Sequence, residues 1–245
     1  MKKIKYLGLL IGACSLASFQ VNAQDQYYNF GFVGGAASVG QSVFSDESGA
    51  TGSVGPNLFY NGEFGFIDGP LINVSVLPYF GLTGQWRFAE VTDDNVSLPN
   101  GIDDRDGNGE LGFTLGTVGA RLTYLQDVTD EHDGYELQLH LGYAFDSVIK
   151  DLTLTPYAEI DYRDKDFSQH LYGISAAEST RSGLSQFDAD NSFVYRTGVI
   201  GLYPITSNWL GLARFDVEHH DSDSALVQRD VGWNVSLGIT YKFTD

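Results

Sequence analysis

From Val231 to Phe243 every second residue is apolar or aromatic. Val231, Trp233, Val235, Leu237, Ile239, Tyr241 and Phe243 alternate with Gly232, Asn234, Ser236, Gly238, Thr240 and Lys242. Only a period of two separates these sets, so the segment reads as a strand with one greasy and one watery face. The same split sets Leu137, Leu139, Leu141, Tyr143 and Phe145 against Glu136, Gln138, His140, Gly142 and Ala144. It recurs at Leu152, Leu154, Pro156, Ala158, Ile160 and Tyr162, where the opposite face carries Tyr157, Glu159 and Asp161. Asp, Asn, Gly and Ser separate such segments, as turns require. No Pro- or Ser-rich linker interrupts the texture, so the chain reads as one unit.

A soluble β-sandwich alternates in the same way. Three features favour a membrane barrel instead. The segments approach the ~9–11 residues that a tilted membrane strand needs. Tyr27, Tyr28, Phe88, Phe145, Tyr162, Tyr203, Trp209 and Tyr241 gather near segment ends, as interfacial girdles do. The chain also finishes on an alternating strand with Phe243 close to the terminus. No apolar run reaches the ~20 residues of a membrane helix, and closing a sheet pairs every backbone group, which hydrocarbon demands.

The expected fold is therefore all-β, a transmembrane antiparallel up-and-down barrel of about ten strands, an even count that returns both termini to the periplasm. The strands fall near 28–38, 53–60, 63–68, 71–88, 111–125, 134–145, 151–163, 191–203, 207–219 and 229–243. Pro78 inside 71–88 implies a bulge or a break, and a break raises the count to twelve. Asn61-Gly62 predicts a tight hairpin. Counting back from the C-terminus makes 146–150 and 204–206 periplasmic turns, and 126–133, 164–190 and 220–228 outer loops. The long acidic stretch 89–110 then falls in the periplasm, against the usual shortness of turns there.

Residues 1–23 read as an export signal, with Lys2, Lys3 and Lys5, an apolar stretch from Leu7 to Ala17, and a Val21-Asn22-Ala23 cleavage site. Residues 24–245 then form the barrel domain. Ile11-Gly12-Ala13-Cys14 offers a lipoprotein box as the alternative, with Cys14 lipidated. The net charge is −18, and loss of three leader lysines takes it to −21. Nucleic acid is thereby excluded, because phosphate backbones are bound by Lys and Arg.

Asp104-Arg105-Asp106-Gly107-Asn108-Gly109 matches the first half of a calcium loop, yet Leu115 stands where the bidentate acid belongs. A solvated turn and a weak cation site both remain open there; no metal or cofactor is expected. Asp93, Asp94, Asp103, Asp104 and Asp106 form an acidic surface that would steer a basic partner in the periplasm. His219-His220-Asp221-Ser222-Asp223-Ser224 has the residue types of a lipid hydrolase, but adjacent strand residues face opposite ways, so both histidines cannot serve one site. No Gly-rich phosphate loop, Gly-x-Ser-x-Gly elbow or His-Glu-x-x-His is present. An enzyme is not expected. Arg87, Arg121, Glu136, His140, Glu159, Asp161, Arg196, Arg214 and Asp216 are expected to fill a narrow lumen with paired charges, leaving no wide pore.

Tyr172-Gly173-Ile174-Ser175-Ala176-Ala177-Glu178-Ser179, then Ser182-Gly183-Leu184 and Phe187-Asp188-Ala189, resembles a loop of the MipA/OmpV family of outer-membrane proteins. Ala176 replaces the usual proline, and Tyr172 lacks the family's second aromatic. Leu152 to Pro156, Tyr203 to Trp209 and Tyr241-Lys242-Phe243 extend the likeness over most of 111–243. The resemblance implies a non-catalytic barrel in the Gram-negative outer membrane, in contact with its lipid. It also implies a scaffold for a lytic transglycosylase and a peptidoglycan synthase, or else a small channel, receptor or adhesin responding to osmotic or antibiotic stress. The loop residues it marks are Tyr172, Gly173, Ser175, Ser179, Ser182, Gly183, Leu184 and Asp188.

Overall fold

The computed structural model describes residues 29–46, 50–92, 96 and 98–244. The leader, Cys14, Tyr27, Tyr28, Asp93 and Asp94 lie outside them.

The strands are β1 (Phe30–Gln41), β2 (Thr51–Gly62), β3 (Gly65–Asp68), β4 (Leu71–Leu77), β5 (Phe80–Arg87), β6 (Asn108–Thr117), β7 (Ala120–Asp127), β8 (Tyr135–Gly142), β9 (Phe145–Asp146), β10 (Thr153–Arg163), β11 (Ser192–Pro204), β12 (Trp209–Asp221) and β13 (Gly232–Lys242). Each pairs antiparallel with its neighbour, β13 with β1 and β10 with β11, so the sheet closes. The dipeptide strand β9 continues the line of β8 along β10. Twelve strands thus wall the barrel, with β9 as a short extra piece.

The count of about ten is corrected at two places. The segment 71–88 breaks at Pro78-Tyr79, where Tyr79 takes a φ of 62° and the register slips between Ser75 and Leu77. The segment 111–125 breaks at Val118-Gly119. There Gly116 has a φ of 115°, and a Cβ on it would meet the Ala120 oxygen at 2.1 Å, so only glycine permits the turn. The hairpin expected at Asn61-Gly62 turns two residues later, because Gly62 is still laddered to Gly65.

The break at 118–119 reverses the side of the stretch 88–107, and the break at 78–79 restores the expected parity upstream of it. Turns 63–64, 78–79, 118–119, 147–152 and 205–208 share the end where β1 begins and β13 finishes. Loops 42–50, 88–107, 128–134, 164–191 and 222–231 share the other, together with the short turn 69–70. Short turns mark the periplasmic end of such barrels and long loops the outer end. The acidic stretch 89–110, expected in the periplasm, therefore belongs to the cell exterior.

The alternation behaves as expected. Leu139, Leu141, Leu237 and Ile239 are exposed on the outside, whereas Glu136, Gln138 and Thr240 are buried within. On the outer surface, rings pass from strand to strand through Phe113, Tyr124, Tyr135, Tyr162 and Phe193, and along β11 to Tyr195, with centroids 5.4–6.2 Å apart. Trp209 and Tyr241 meet edge to face at 5.4 Å near the opposite end. Aromatic girdles at both interfaces are the membrane signature of this architecture.

Candidate functional site: a lumen capped at one end

The outer loops fold inward. In loop 164–191, Asp164 caps the helix α1 (Lys165–Tyr172), accepting from Phe167 N at 3.1 Å and Tyr135 N at 3.0 Å. Ser175 caps α2 (Ala176–Ser182) in a reciprocal capping box with Glu178, and Gly183 ends it at φ 75°. An Ile174–Phe187 bridge ties the two arms of the loop together. Most of the residues marked by the family resemblance act here as architecture. Tyr172 is buried, Gly173 ends α1 and accepts from Arg105 at 2.9 Å, and the Ser179 and Ser182 hydroxyls donate to Leu184 O and Glu178 O. Leu184 packs on the core that the loop builds, while Asp188 is exposed.

That core joins four loops. Val43 and Phe44 meet Val91, Val96 and Ile102, then Phe167, Leu171, Tyr172, Ile174 and Ala189, and finally Leu226. Each large apolar side chain so buried contributes about 1.5–3 kcal/mol, so the cap is packed like the interior of a soluble domain rather than draped over the mouth. Its polar groups are equally committed. Burial opposes ionisation of Glu178, but donors from Ser175 and Asp103 and the Arg105 guanidinium at 2.8 Å hold its carboxyl down at about 2. His132 stacks on Phe167 at 4.3 Å and accepts from Gly134 N at 3.0 Å; burial lowers its pKa to about 4 despite nearby Asp127.

Beneath the cap lies a buried ionic layer. Arg87 reaches Glu110 at 3.1 Å, Glu136 at 2.7 Å and Glu90 at 3.2 Å. Arg163, fully buried, reaches Glu136 at 2.7 Å and Glu90 at 2.9 Å. Both guanidiniums lie under the Phe167 ring, 4.9 and 4.8 Å from its centroid, which joins the layer to the cap. Glu90 comes from loop 88–107, so the loop is pinned inside the barrel by its own carboxylate. The layer continues through Arg196, which binds Asp161 and Glu159, to His140 at 2.9 Å from Glu159. His220 donates or accepts at Tyr172 Oη, 2.9 Å away.

Below this layer the lumen opens into a chamber of about 1870 Å³. Its lining runs from Glu63, Pro78, Tyr79 and Gly119 at the turn end up to Arg87, Glu90 and Arg196. The narrow, filled lumen expected from ten strands is corrected accordingly: twelve strands leave room below, and closure comes from the cap above.

All nine charges expected to face inward are paired there. Besides those above, Arg121 binds Asp68 at 2.7 Å and Arg214 binds Asp216 at 2.6 Å. Arg163 and Glu110 are absent from the expected inward set, and His220 is considered in sequence only for hydrolysis, although continuing the alternation past Asp161 and past Asp216 reaches Arg163 and His220. Glu90 has no signal in sequence, because loop residues carry no period. Among the acidic residues, Asp103 is exposed and pairs with Arg181 at 2.6 Å, while Asp104 and Asp106 are exposed beside it. The calcium half-loop is not assembled as one: Arg105 bridges to Gly173 and Glu178, and Asn108 turns into the lumen toward Glu110. His219 points outward against Tyr195, His220 points inward, and the Ser224 hydroxyl donates to Tyr172 O.

A closed twelve-stranded barrel with an apolar, aromatic-belted exterior and a capped polar lumen defines an outer-membrane β-barrel protein. The chain belongs to the MipA family: the model described as MltA-interacting protein MipA matches residues 33–243. It is 26% identical over 226 residues to the outer membrane protein YiaT of Escherichia coli (strain K12), covering 86% of this chain and 90% of that one. It is 28% identical over 126 residues to the MltA-interacting protein of the same organism, covering 50% of each. Among solved structures, Neisserial surface protein A aligns over 87% of this chain and 97% of its own, at 10% identity and a TM-score of 0.33. The CymD monoaromatic hydrocarbon channel aligns over 92% and 91%, at 10% identity and a TM-score of 0.36. At that level the fold rests on this chain's own strand pairing. The protein resides in the outer membrane of a Gram-negative cell, as its YiaT relative's name and its own barrel architecture indicate.

Proposed function

We propose that this protein is a non-catalytic, non-conducting anchor that offers its periplasmic end to a lytic transglycosylase and, through it, to a peptidoglycan synthase. The observation that carries this reading is the sealed outer end, where a packed core and a buried ionic layer stand between the chamber and the exterior. A barrel closed outward and open inward serves a periplasmic partner better than a conduit. The name of the MltA-interacting relative supports the same direction. The docking surface moves with the corrected parity. Asp103, Asp104 and Asp106 lie in the outer loop 88–107, so any contact they make is with an extracellular partner, while Asp93 and Asp94 lie outside the described residues. The periplasmic rim instead presents apolar turn residues, with Phe64 76%, Tyr79 69%, Val148 105% and Ile149 59% exposed. Patches of this kind mark contact with protein or lipid.

The test is photo-crosslinking in intact cells from a benzophenone amino acid at Val148 or Ile149, with Asp104 as the outward control. The expected result is an adduct containing a lytic transglycosylase from the turn positions and none from position 104. Adducts with that enzyme only from position 104, or from neither end, would overturn the reading.

A further inference from the structure

The interior of an outer-membrane barrel is ordinarily polar, yet one wall of this chamber is not. Phe30 and Phe32 of β1 and Phe59 of β2 form a ring cluster, with Phe32 and Phe59 stacked at 5.5 Å. Leu202, Leu210 and Leu212 of β11 and β12 pack against it. All six have their places near the periplasmic ends of their strands, so this greasy wall stands just inside the open mouth. Deeper in, the facing positions of β13, β1 and β2 carry small residues, among them Ser236, Ala36, Ser38 and Gly55. At Gly55 an added Cβ would meet nothing within 4 Å. The wall recedes there into open chamber.

At the inner end of this trough stands Arg214, two residues beyond Leu212 on the same strand face. Its Nε donates to Asp216 at 2.6 Å and its Nη2 to the Tyr157 hydroxyl at 2.6 Å, with the guanidinium 5.2 Å from the Tyr157 ring. These contacts fix the plane of the fork and use two of its nitrogens. Nη1 has no partner among the described residues, on a side chain that is 44% exposed and lines the chamber. A guanidinium so oriented is suited to a carboxylate or phosphate oxygen.

We propose that the chamber binds a single-chain amphiphile with an anionic head, entering from the periplasm. The head sits on Arg214, and the chain lies along Leu212 and Leu202 to the phenylalanine cluster at the mouth. An apolar surface beside a few convergent polar groups is the usual construction of a small-molecule site, and the volume exceeds the ~300–1,000 Å³ such sites commonly offer. Each methylene removed from water adds about 0.8 kcal/mol, so the chain rather than the head supplies most of the affinity. An extended peptide is disfavoured, because a closed barrel has no free strand edge for it to join. This inference goes beyond the docking reading and does not depend on it.

The test uses the full barrel in lipid nanodiscs and a myristate carrying a diazirine near its methyl end, with labelled residues located by peptide mass spectrometry. The expected label falls on lumenal Phe32, Phe59 or Leu212. It should drop at least about tenfold in Gly55→Phe, which fills the trough. In Arg214→Gln, unlabelled myristate should compete about tenfold more weakly, the loss of one charged hydrogen bond. Gly55→Phe decides the matter if Arg214→Gln does not fold. Competition by myristate alone assigns a free acid and competition by lysophosphatidylglycerol a lipid head; either supports the site. Label confined to outward residues such as Val33, Leu58 or Leu237 overturns it. So does label unchanged in Gly55→Phe, or full competition by inorganic phosphate.

Discussion

Replacing Arg163 by methionine lowers the unfolding free energy by about 3–5 kcal/mol, the cost of leaving a buried charge without its partner. Arg163 is fully buried and serves Glu136 and Glu90 at once, so its loss strands two carboxylates rather than one. The layer cannot absorb this. Carboxylates already outnumber guanidiniums there, with Glu90, Glu110, Glu136, Glu159 and Asp161 set around Arg87, Arg163 and Arg196. Methionine keeps much of the packing under Phe167 but offers nothing to the acids. The measurement is the urea midpoint of the barrel in lipid vesicles, read by the gel mobility of the folded form. Adding Glu136→Gln to Arg163→Met should recover part of the loss, since contacting residues do not add independently. A midpoint that barely moves would mean that the layer is hydrated and contributes little.

Deleting residues 165–190 and bridging the ends with a short Gly-Ser linker converts a silent barrel into a steadily conducting one in planar bilayers. The deletion takes Phe167, Leu171, Tyr172, Ile174 and Ala189 from the cap core at a stroke. It also removes Glu178, the partner of Arg105, and Arg181, the partner of Asp103, so loop 88–107 loses those two tethers and is held only by the Glu90 ion pairs to Arg87 and Arg163 and by what remains of the cap core. The chamber then communicates with the exterior. Conductance in the intact protein equal to that of the deletion would show that the cap does not seal.

Much of this was legible in the sequence, for a reason that also explains the failures. Alternation reports a side chain's face whenever the strand is regular, so the inward set from Arg87 to Asp216 was readable position by position. It says nothing about where a strand turns back. At Pro78-Tyr79 and Val118-Gly119 the alternation runs almost unbroken through tight turns, two strands merge into one at each, and missing the second turn puts the stretch 89–110 on the wrong side. The length of 89–110 held the clue, because a long loop among short turns contradicts the inferred side. The cap was legible only as a resemblance. Ser175, Glu178 and Gly183 spell a helix start and stop, but nothing in their spacing says that the helices point into a barrel.

The central claim is one of sidedness: long loops and cap outside, chamber mouth and apolar turns inside. Single cysteines at Asp104 and Val148, in a chain whose native Cys14 is changed to alanine, test it most directly. Intact cells are treated with a membrane-impermeant maleimide before and after the outer membrane is made permeable. The account predicts that position 104 reacts at once in intact cells, whereas position 148 reacts only after permeabilisation. Immediate reaction at 148 with protection at 104 would contradict it.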